Sequence, residues 1–309
     1  MQAGLMGLMA LSLLGFLGEG NLFLDTMSHF RVQYYLVSCV FLIFFILMRS
    51  WRWAVAGILP VALNGFMVFF WFVPPADAQA VTEAKPNLRI LIANVEKWNQ
   101  EHAGLISMIR EVKADIVVLP ETDFEWAKAL AQLRGAYAYQ VSRPRADCLG
   151  MTVFSKFPVY PDAPMPPFRR NGIDEVYVHG MKVLGPAENF YLIAAHPMSP
   201  VNEDRFRARN FGLDQIAELA EGRRGTVIVA GDINTTMWSP YYWKLMRRTG
   251  LKNARKGFGI LQSWPAFLME WMRLPLDHCL VSPGIKVHRI RTGRPNGSDH
   301  LPVIVDLEM

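Results

Sequence analysis

Apolar and polar residues divide this chain into two unlike parts. Residues 1–18, 32–48 and 53–76 contain no charged side chain, whereas short apolar runs alternate with polar stretches from residue 88 onward. A helix needs about 20 apolar residues to cross a bilayer, within a range of about 17–25. The third run meets this length and the first two lie at its short end. The pattern therefore predicts three membrane-spanning helices before a water-soluble domain.

The amino-terminal apolar runs have two alternative interpretations. A secretory signal peptide needs a positive segment before its apolar core, but no Lys or Arg precedes Arg31. A buried core hairpin is the second alternative, and the two further apolar runs that follow residues 1–18 favour a membrane anchor over it.

Basic residues in short loops predict the orientation of this anchor. Arg49 and Arg52 lie between the second and third runs, and positive charge in short loops marks the cytoplasmic side. Arg31 lies in the other loop and opposes this assignment. We expect a multi-pass protein of the inner (plasma) membrane with its following domain outside the cytoplasm.

The boundary between the two parts is predicted from composition. Residues 74–87 are rich in Pro, Ala and polar residues and show no apolar period, which is typical of a linker. The predicted organisation is an anchor over 1–75, a linker over 76–87 and a catalytic domain over 88–309.

The soluble part alternates strand-like and helix-like patterns. Helices are predicted over 101–113, 124–134 and 203–221 and near 239–248. Strands are predicted over 88–94, 116–121, 137–141, 150–154, 176–184, 190–195, 226–232, 276–282, 286–292 and 301–307. This mixture predicts a layered α/β fold with a sheet core.

Composition adds little beyond this division. Three of the 32 basic and two of the 27 acidic residues lie in residues 1–75, so the remainder carries 29 and 25, a net charge of +4. That charge is too small to indicate a nucleic-acid partner, and it suits an anionic substrate or membrane surface. The three cysteines form no CxxC or Cys/His spacing and are interpreted as small buried apolar residues.

Polar residues stand where several apolar strands begin or end. Strand ends converge on one edge of a sheet, where sites are commonly built. The residues are Asn94, Glu121, His196, Asp232, Asn234, Asp277, Asp299 and His300.

Each of these residues alone has a structural explanation. Asp232 fits a helix cap or turn, His196 a buried structural histidine, and Asp299 with His300 a simple loop. Together the carboxylates and amides suit a hard cation and a phosphate, because Mg²⁺ prefers oxygen ligands. We therefore predict Mg²⁺ as the cofactor, with Mn²⁺ as a second candidate.

The segments IANV, LPET, AAHP, AGDIN, PLDHCLVS and GSDHLPV, in this order, resemble the endonuclease/exonuclease/phosphatase superfamily. That group includes DNase I-like nucleases, inositol polyphosphate phosphatases and neutral sphingomyelinases. The resemblance covers about residues 86–309. It implies a four-layer α/β sandwich, with two packed mixed sheets and outer helices, and a metal-dependent hydrolase of phosphoester bonds.

The resemblance also implies how metal and water are held. Glu121 would be the main Mg²⁺ ligand, with Asn94 and Asp299 beside it. Asp232 would position or deprotonate the attacking water. Phosphoryl transfer needs this combination of charge neutralisation and an aligned nucleophile.

The remaining residues are assigned to the phosphate. By the resemblance, Asn234 and His300 would bind it, and Asp277 would orient His300. His196 would be a second phosphate contact or the general acid, and Asp147 is a candidate for its acidic partner. His278 is interpreted as structural, because strand alternation turns it away from Asp277.

Context narrows the substrate class. A catalytic domain about 10 residues from a membrane helix works near the bilayer, and the sequence lacks a dense basic groove with interleaved aromatic residues. We therefore expect a phospholipid, a lipid-linked pyrophosphate or another envelope phosphoester, with the lipid bilayer as partner and no stable nucleic-acid partner. The layout also resembles bacterial membrane proteins of this superfamily linked to glycopeptide resistance. The alternatives are an extracytoplasmic nuclease and a non-catalytic binding module of the same fold.

Overall fold

A computed structural model describes residues 1–75, 85–170 and 172–309, without the side chain of residue 173. Its helices are α1 Gln2–Leu14, α2 Leu22–Ser28, α3 Arg31–Leu47, α4 Trp51–Phe69, α5 His102–Val112, α6 Phe124–Leu130, α7 Glu203–Glu221 and α8 Pro240–Thr249. Its strands are β1 Leu88–Ile92, β2 Ile116–Pro120, β3 Tyr139–Arg143, β4 Met151–Ser155, β5 Val159–Pro161, β6 Phe168–Arg170, β7 Ile173–Glu175, β8 Val178–Leu184, β9 Asn189–Ala195, β10 Thr226–Asp232, β11 Lys252–Asn253, β12 Asp277–Val281, β13 Lys286–Thr292 and β14 Val303–Glu308.

Two six-stranded mixed sheets form the centre of the domain. The first has the strand order β13-β14-β1-β2-β4-β3 and the second β11-β12-β10-β9-β8-β5. In the first sheet β1 runs parallel to β2 and antiparallel to β14. In the second β10 runs parallel to β9 and antiparallel to β12. The short hairpin β6-β7 stands apart from both sheets.

The central strands of each sheet are apolar and buried along nearly their whole length, so both faces of each sheet are covered at its centre; they are β1, β2, β4, β9, β10 and β12. Ile90 and Val118 of the first sheet pack in one cluster with Leu192 and Ile228 of the second. Helices α5 and α6 cover the outside of the first sheet, and α7 and α8 that of the second. The predicted four-layer α/β sandwich is confirmed.

Local sequence signals explain where helix α8 begins and ends. The Ser239 hydroxyl accepts a hydrogen bond from the backbone N–H of Tyr241, and Pro240 occupies the first turn of α8. The helix ends at Gly250, whose φ of 64° lies in the left-handed region. The serine at its amino-terminal cap and the glycine at its carboxyl-terminal cap make α8 predictable from sequence.

Most predicted elements are confirmed, within a few residues at their ends. α7 and β13 have the predicted bounds, and β1 and β2 end just before Asn94 and Glu121. Strands β5, β6, β7 and β11 were not predicted. They are two or three residues long and give no alternation that distinguishes a strand from a turn.

The predicted three-helix, multi-pass anchor is not supported. Among the residues that the structure describes, one helix is long and apolar enough to cross a membrane: α4 with its 3₁₀ extension, Trp51–Phe72. Residues Gln2–Leu17 and Leu22–Ser28 pass only as a pair bent by 111°, and α3 has only 17 residues. A signal sequence or a soluble core helix can share this composition. The predicted linker lies mostly outside the described residues, which omit 76–84.

Arg31 is not the loop charge that the sequence suggested. It is the first residue of α3 and is fully buried. Its Nη1 donates to the Ser12 carbonyl oxygen at 2.6 Å and to Asn64 Oδ1 at 3.2 Å. Since the side chain is buried among the helices and not exposed in a loop, it gives no evidence on orientation.

The amino-terminal helices pack directly on the α/β domain. The contacts come from the carboxyl ends of α1 and α4 and the amino end of α3, which places these three ends on one side. They join Phe16 to Trp243, Gln33 to Trp271, Met67 to Trp238 and Trp71 to Gly257. The helical segment and the domain are therefore in contact through one end of the helices.

Candidate active site

The strand ends predicted to carry chemistry meet between the two sheets. Asn94 and Glu121 follow β1 and β2, while His196 and Asp232 lie at the ends of β9 and β10. Each of these strand pairs is parallel, so both members present their carboxyl ends on the same side. The edges of the two sheets thus bring four predicted residues together.

Asn94 connects the acidic residues of the two sheets. Its Nδ2 donates to Glu121 Oε1 at 3.0 Å and to Asp232 Oδ2 at 3.1 Å. His196 Nε2 lies 3.6 Å from the same Glu121 oxygen and 3.7 Å from the same Asp232 oxygen. Two carboxylates and two polar side chains therefore converge on one small volume.

Asp277 and His300 form a hydrogen-bonded pair beside this volume. His300 Nδ1 donates to Asp277 Oδ2 at 2.8 Å, and His300 Nε2 lies 3.5 Å from Asp232 Oδ2. Burial lowers the pKa of His300, but the carboxylates of Asp277 and Asp232 outweigh it and raise this pKa to about 10. Burial raises the pKa of Asp277, and the His300 charge outweighs that effect and lowers it. The raised pKa favours the imidazolium form of His300 at neutral pH, which would suit the predicted contact with a phosphate.

Asp232 has the electrostatics of a base. Burial, with the nearby Asp277 charge, raises its pKa to about 6, against the opposing effects of His300 and His196. Its Oδ1 accepts the backbone N–H of Asn234 at 2.9 Å, which fixes the carboxylate. A base with a pKa near the working pH is the most effective proton acceptor.

The side chain of Asn234 uses one of its N–H donors in a hydrogen bond within the protein. Its Nδ2 donates to the Pro197 carbonyl oxygen at 2.9 Å. A primary amide carries two N–H donors, so the second remains for a substrate oxygen. Its phosphate-binding role stays a prediction.

The acidic partner suggested for His196 is wrong. Asp147 instead forms a bidentate ion pair with Arg145, at 2.8 and 2.6 Å. Within the described chain, the buried His196 Nδ1 has no hydrogen-bond partner. His278 is buried as a structural residue, bonded to the Thr235 carbonyl oxygen and to Asn253 at 3.0 Å each.

Asp299 lies beside His300 and is held in place by an indole. Its Oδ2 accepts from Trp264 Nε1 at 2.9 Å, and its Oδ1 lies 4.0 Å from His300 Nε2. Its backbone N–H donates to Glu96 Oε2 at 2.8 Å. Glu96 was missed from sequence, although it stands two residues after Asn94. Burial raises the pKa of this carboxyl, with Asp299 and Glu121 adding to the rise.

Three residues of the site have left-handed backbone conformations. The φ angles are 52° at Glu96, 65° at Glu121 and 48° at Asn234. For residues with a Cβ such conformations cost about 1–3 kcal/mol each, and they persist where surrounding contacts impose them. Here they turn the side chains from the strand ends into the space between the sheets.

Glu121 fits the predicted role of a cation ligand. Its carboxylate is one-fifth exposed, and its Oε2 has only a long backbone contact, 3.4 Å from Lys97 N. A carboxylate has about four acceptor sites, so oxygen lone pairs remain for Mg²⁺. Asn94 presents its nitrogen to the carboxylates while its oxygen accepts the Glu96 N–H at 3.0 Å. Asn94 and Asp299 as further ligands stay predictions.

Asp232, Asp277 and His300 form a second candidate cation cluster. Their possible ligand atoms all lie within 4.8 Å of one another. The raised pKa of His300 favours the protonated ring, which would balance the charge of the two carboxylates. A metal bound by the His300 ring nitrogen would have to displace that proton.

Comparisons with known proteins identify a family and a shared fold. The sequence model described as the endonuclease/exonuclease/phosphatase family matches residues 87–300. A search of curated proteins finds no match.

Solved structures share the fold at low identity. An endonuclease/exonuclease/phosphatase from Bacteroides vulgatus is 18% identical with a TM-score of 0.59, over 72% of this chain and 98% of that one. D. rerio TDP2 complexed with single strand DNA product is 15% identical with a TM-score of 0.59, over 72% and 99%. Beta toxin from Staphylococcus aureus is 15% identical with a TM-score of 0.53, over 71% and 99%.

Proposed function

Because the chain belongs to the endonuclease/exonuclease/phosphatase family, we propose that it is a membrane-associated hydrolase of a lipid phosphoester or lipid-linked pyrophosphate. Family membership establishes the enzyme class, a hydrolase of phosphoester bonds. One observation supports a lipid substrate: an exposed apolar loop lies directly beside the acidic site and contacts the apolar helices. Mg²⁺ is the proposed cofactor, with Mn²⁺ as the second candidate.

The apolar loop comprises residues 266–272, with sequence AFLMEWM. Phe267 is 79% exposed and Met269 61%, with Trp271 and Met272 also exposed. The loop is tied to the site, since the Ala266 N–H donates to the Asp299 carbonyl oxygen at 2.7 Å. Contiguous exposed apolar surface beside a site marks a binding surface for an apolar partner.

The same loop continues onto the amino-terminal helices. Gln33 Nε2 of α3 donates to the Trp271 carbonyl oxygen at 2.9 Å. The outer surfaces of α3 and α4 expose large apolar side chains, including Val40, Ile43, Val55 and Phe66. A core helix of a soluble protein would bury such residues, so this exposure favours a bilayer around the helices.

Orientation follows from the two ends of the helices. The domain contacts one end, while the exposed Arg49 lies in the turn between α3 and α4 and the exposed Arg52 in the first turn of α4, at the other end. By the positive-inside rule these residues favour a cytoplasmic position for that end, and the proposed position of the domain is therefore outside the cytoplasm. Protease digestion of the domain in intact cells, against lysed cells as control, tests this. Protection in intact cells would contradict it.

The side chains divide the proposed reaction between them. Asp232 takes the proton of the attacking water, and Asn234 and His300 bind the phosphate oxygens. Asp277 keeps His300 protonated and oriented, and His196 is the proposed general acid for the leaving group. A bound divalent cation at Glu121 would neutralise charge on the phosphate.

The decisive experiment is a substrate panel. The purified full chain in Mg²⁺ is assayed on phospholipid vesicles, polyprenyl pyrophosphate and plasmid DNA, with Asp232→Ala as the inactive control. Mg²⁺-dependent turnover of either lipid that is lost in Asp232→Ala supports the proposal. DNA cleavage without lipid turnover would overturn it in favour of an extracytoplasmic nuclease.

The nuclease stays the second candidate for a specific reason. One similar structure is described as TDP2 complexed with single strand DNA product. The panel separates the two candidates.

The apolar loop gives a prediction of its own. Replacing Phe267 and Trp271 by serine is expected to lower turnover of vesicle-borne substrate by about tenfold or more, because burial of one large apolar side chain contributes about 1.5–3 kcal/mol. Hydrolysis of soluble bis(p-nitrophenyl) phosphate should change little. The assay is the ratio of the two rates.

A matched control keeps this test specific. Tyr160 is 56% exposed and lies on the edge strand β5 of the second sheet. Tyr160→Ser should leave both rates unchanged. If the loop variant loses the two activities equally, the loop supports the fold rather than a lipid surface.

A further inference from the structure

A buried ion pair joins the amino-terminal helices to the catalytic domain. Arg209 Nη2 of α7 lies 2.6 Å from Asp25 Oδ2 of α2, and the two side chains are 0% and 1% exposed. The residues are 184 positions apart in sequence. Breaking a buried pair is strongly unfavourable because it leaves an uncompensated charge, so α2 is held firmly against α7.

The pair also reaches the segment of residues 234–239, which connects β10 to α8. Arg209 Nη1 donates to the Asn234 carbonyl oxygen at 3.3 Å. Asp25 Oδ1 accepts the Ser239 hydroxyl at 2.6 Å. The two ends of the 234–239 segment are thus fixed by the same ion pair.

His29 adds a third contact to the same segment. Its Nδ1 lies 2.9 Å from Thr236 Oγ1, and its Nε2 lies 3.7 Å from Asp25 Oδ2. Asp25 of α2 and His29 thus contact the end and the middle of the 234–239 segment, and Arg209, which is paired with Asp25, contacts its beginning.

This segment needs external partners. It connects a strand to a helix, yet residues 235–239 are buried, and Asn234 is only 7% exposed. Buried polar groups in a connecting segment must find hydrogen-bond partners. Asn234 also holds a left-handed conformation, with φ 48°, which persists only where the surroundings impose it.

We propose that Asp25 and Arg209 are positioning residues that hold Asn234 in place for phosphate binding, so that the amino-terminal helices complete the active site. Neither residue touches substrate; they act through the Asn234 backbone and Ser239. The inference rests on the proposed function, in which Asn234 binds a substrate phosphate. It makes α2 a structural part of the hydrolase as well as a link to the helices.

The test uses the full chain in detergent with Mg²⁺ and two readouts. Binding of inorganic phosphate and kcat and KM for bis(p-nitrophenyl) phosphate report on Asn234. Amide hydrogen exchange of residues 232–240 reports on the segment itself, independently of activity.

Asp25→Asn keeps the side-chain volume but removes the charge. It is expected to weaken phosphate binding and raise KM by about tenfold, the effect of losing one well-placed hydrogen bond. Exchange of residues 232–240 should become faster. The matched control is Asn64→Ala, which removes a buried polar contact within the helices, to Ser12 Oγ, that does not reach the segment. It should leave phosphate binding and exchange unchanged.

A second variant keeps the proposal testable if Asp25→Asn does not fold. Arg209→Lys preserves the ion pair, but a single ammonium on a differently shaped side chain does not replace the guanidinium that bonds Asp25 and Asn234 together. It should weaken phosphate binding while exchange of residues 22–31 stays slow. Normal phosphate binding and normal exchange of residues 232–240 in a folded Asp25→Asn or Arg209→Lys variant would overturn the proposal.

Failure of the phosphohydrolase activity on which the inference rests gives a different result, because the wild-type chain then neither binds phosphate nor hydrolyses the probe. Amide hydrogen exchange of residues 232–240 then tests the positioning role by itself. Faster exchange in Asp25→Asn than in Asn64→Ala supports the role, and equal exchange refutes it. A nuclease instead of a lipid hydrolase would leave the test as described.

Discussion

Asp232→Asn is expected to lower kcat/KM on bis(p-nitrophenyl) phosphate by about 10²–10⁴-fold, the usual contribution of a general base. The amide has the volume of the carboxylate but cannot accept the proton of the attacking water. A small fall in thermal stability is expected, because both oxygens of Asp232 accept N–H donors, from Asn94 Nδ2 and Asn234 N, and an amide must present its NH2 group to one of them.

The control for this result is a carboxylate away from the site. Asp162 is one-third exposed and pairs with Arg223, so Asp162→Asn should retain wild-type kcat/KM. The measurements are steady-state kinetics in Mg²⁺ and thermal melting of each variant. A rate within about threefold of wild type in Asp232→Asn, far below the usual effect of removing a base, would exclude Asp232 as that base.

Glu121→Gln should change the metal dependence. We expect the Mg²⁺ concentration for half-maximal activity to rise by about 100-fold, at the upper end of the 10–100-fold loss typical even for outer partners of metal ligands. Chelation should abolish wild-type activity. Because a ligand that binds only the folded state stabilises it, Mg²⁺ should also raise the melting temperature of the wild type more than that of the variant.

Two further variants make this test specific. Glu125 is exposed in the first turn of α6, four residues from Glu121, so Glu125→Gln should leave the Mg²⁺ dependence unchanged. Asp277→Asn probes the alternative cluster with Asp232 and His300. If Asp277→Asn shifts the Mg²⁺ dependence of melting and Glu121→Gln does not, the metal belongs to that cluster.

Local patterns were sufficient for most of the fold. The long helix α7 has its predicted bounds because Asn202 caps it and acidic residues fill its first turn. The central strands β1, β2, β9 and β10 are compact apolar runs ended by polar residues, so the same pattern predicted both the sheet and the residues at its edge. The family resemblance that these segments carried is confirmed.

Contacts between distant residues were not predictable from the sequence. The Asp25–Arg209 pair links residues 184 positions apart, and no local pattern marks either partner. The three apolar runs predicted three spans, but the break after residue 17 bends the chain, and α2 lies against α7 and the 234–239 segment. Asp147 was a reasonable partner for His196 by charge alone, but it forms an ion pair with the nearby Arg145 instead.

The left-handed residues Glu96, Glu121 and Asn234 have a consequence for engineering. Glycine adopts such conformations without the steric cost that a Cβ brings. A selection for thermostability alone would therefore favour glycine at positions 96 and 121, where the backbone is strained, and would remove the carboxylates that face the site. At these positions heat resistance and turnover are opposed, so stabilising libraries for this hydrolase are better directed at the sheet faces and the outer helices.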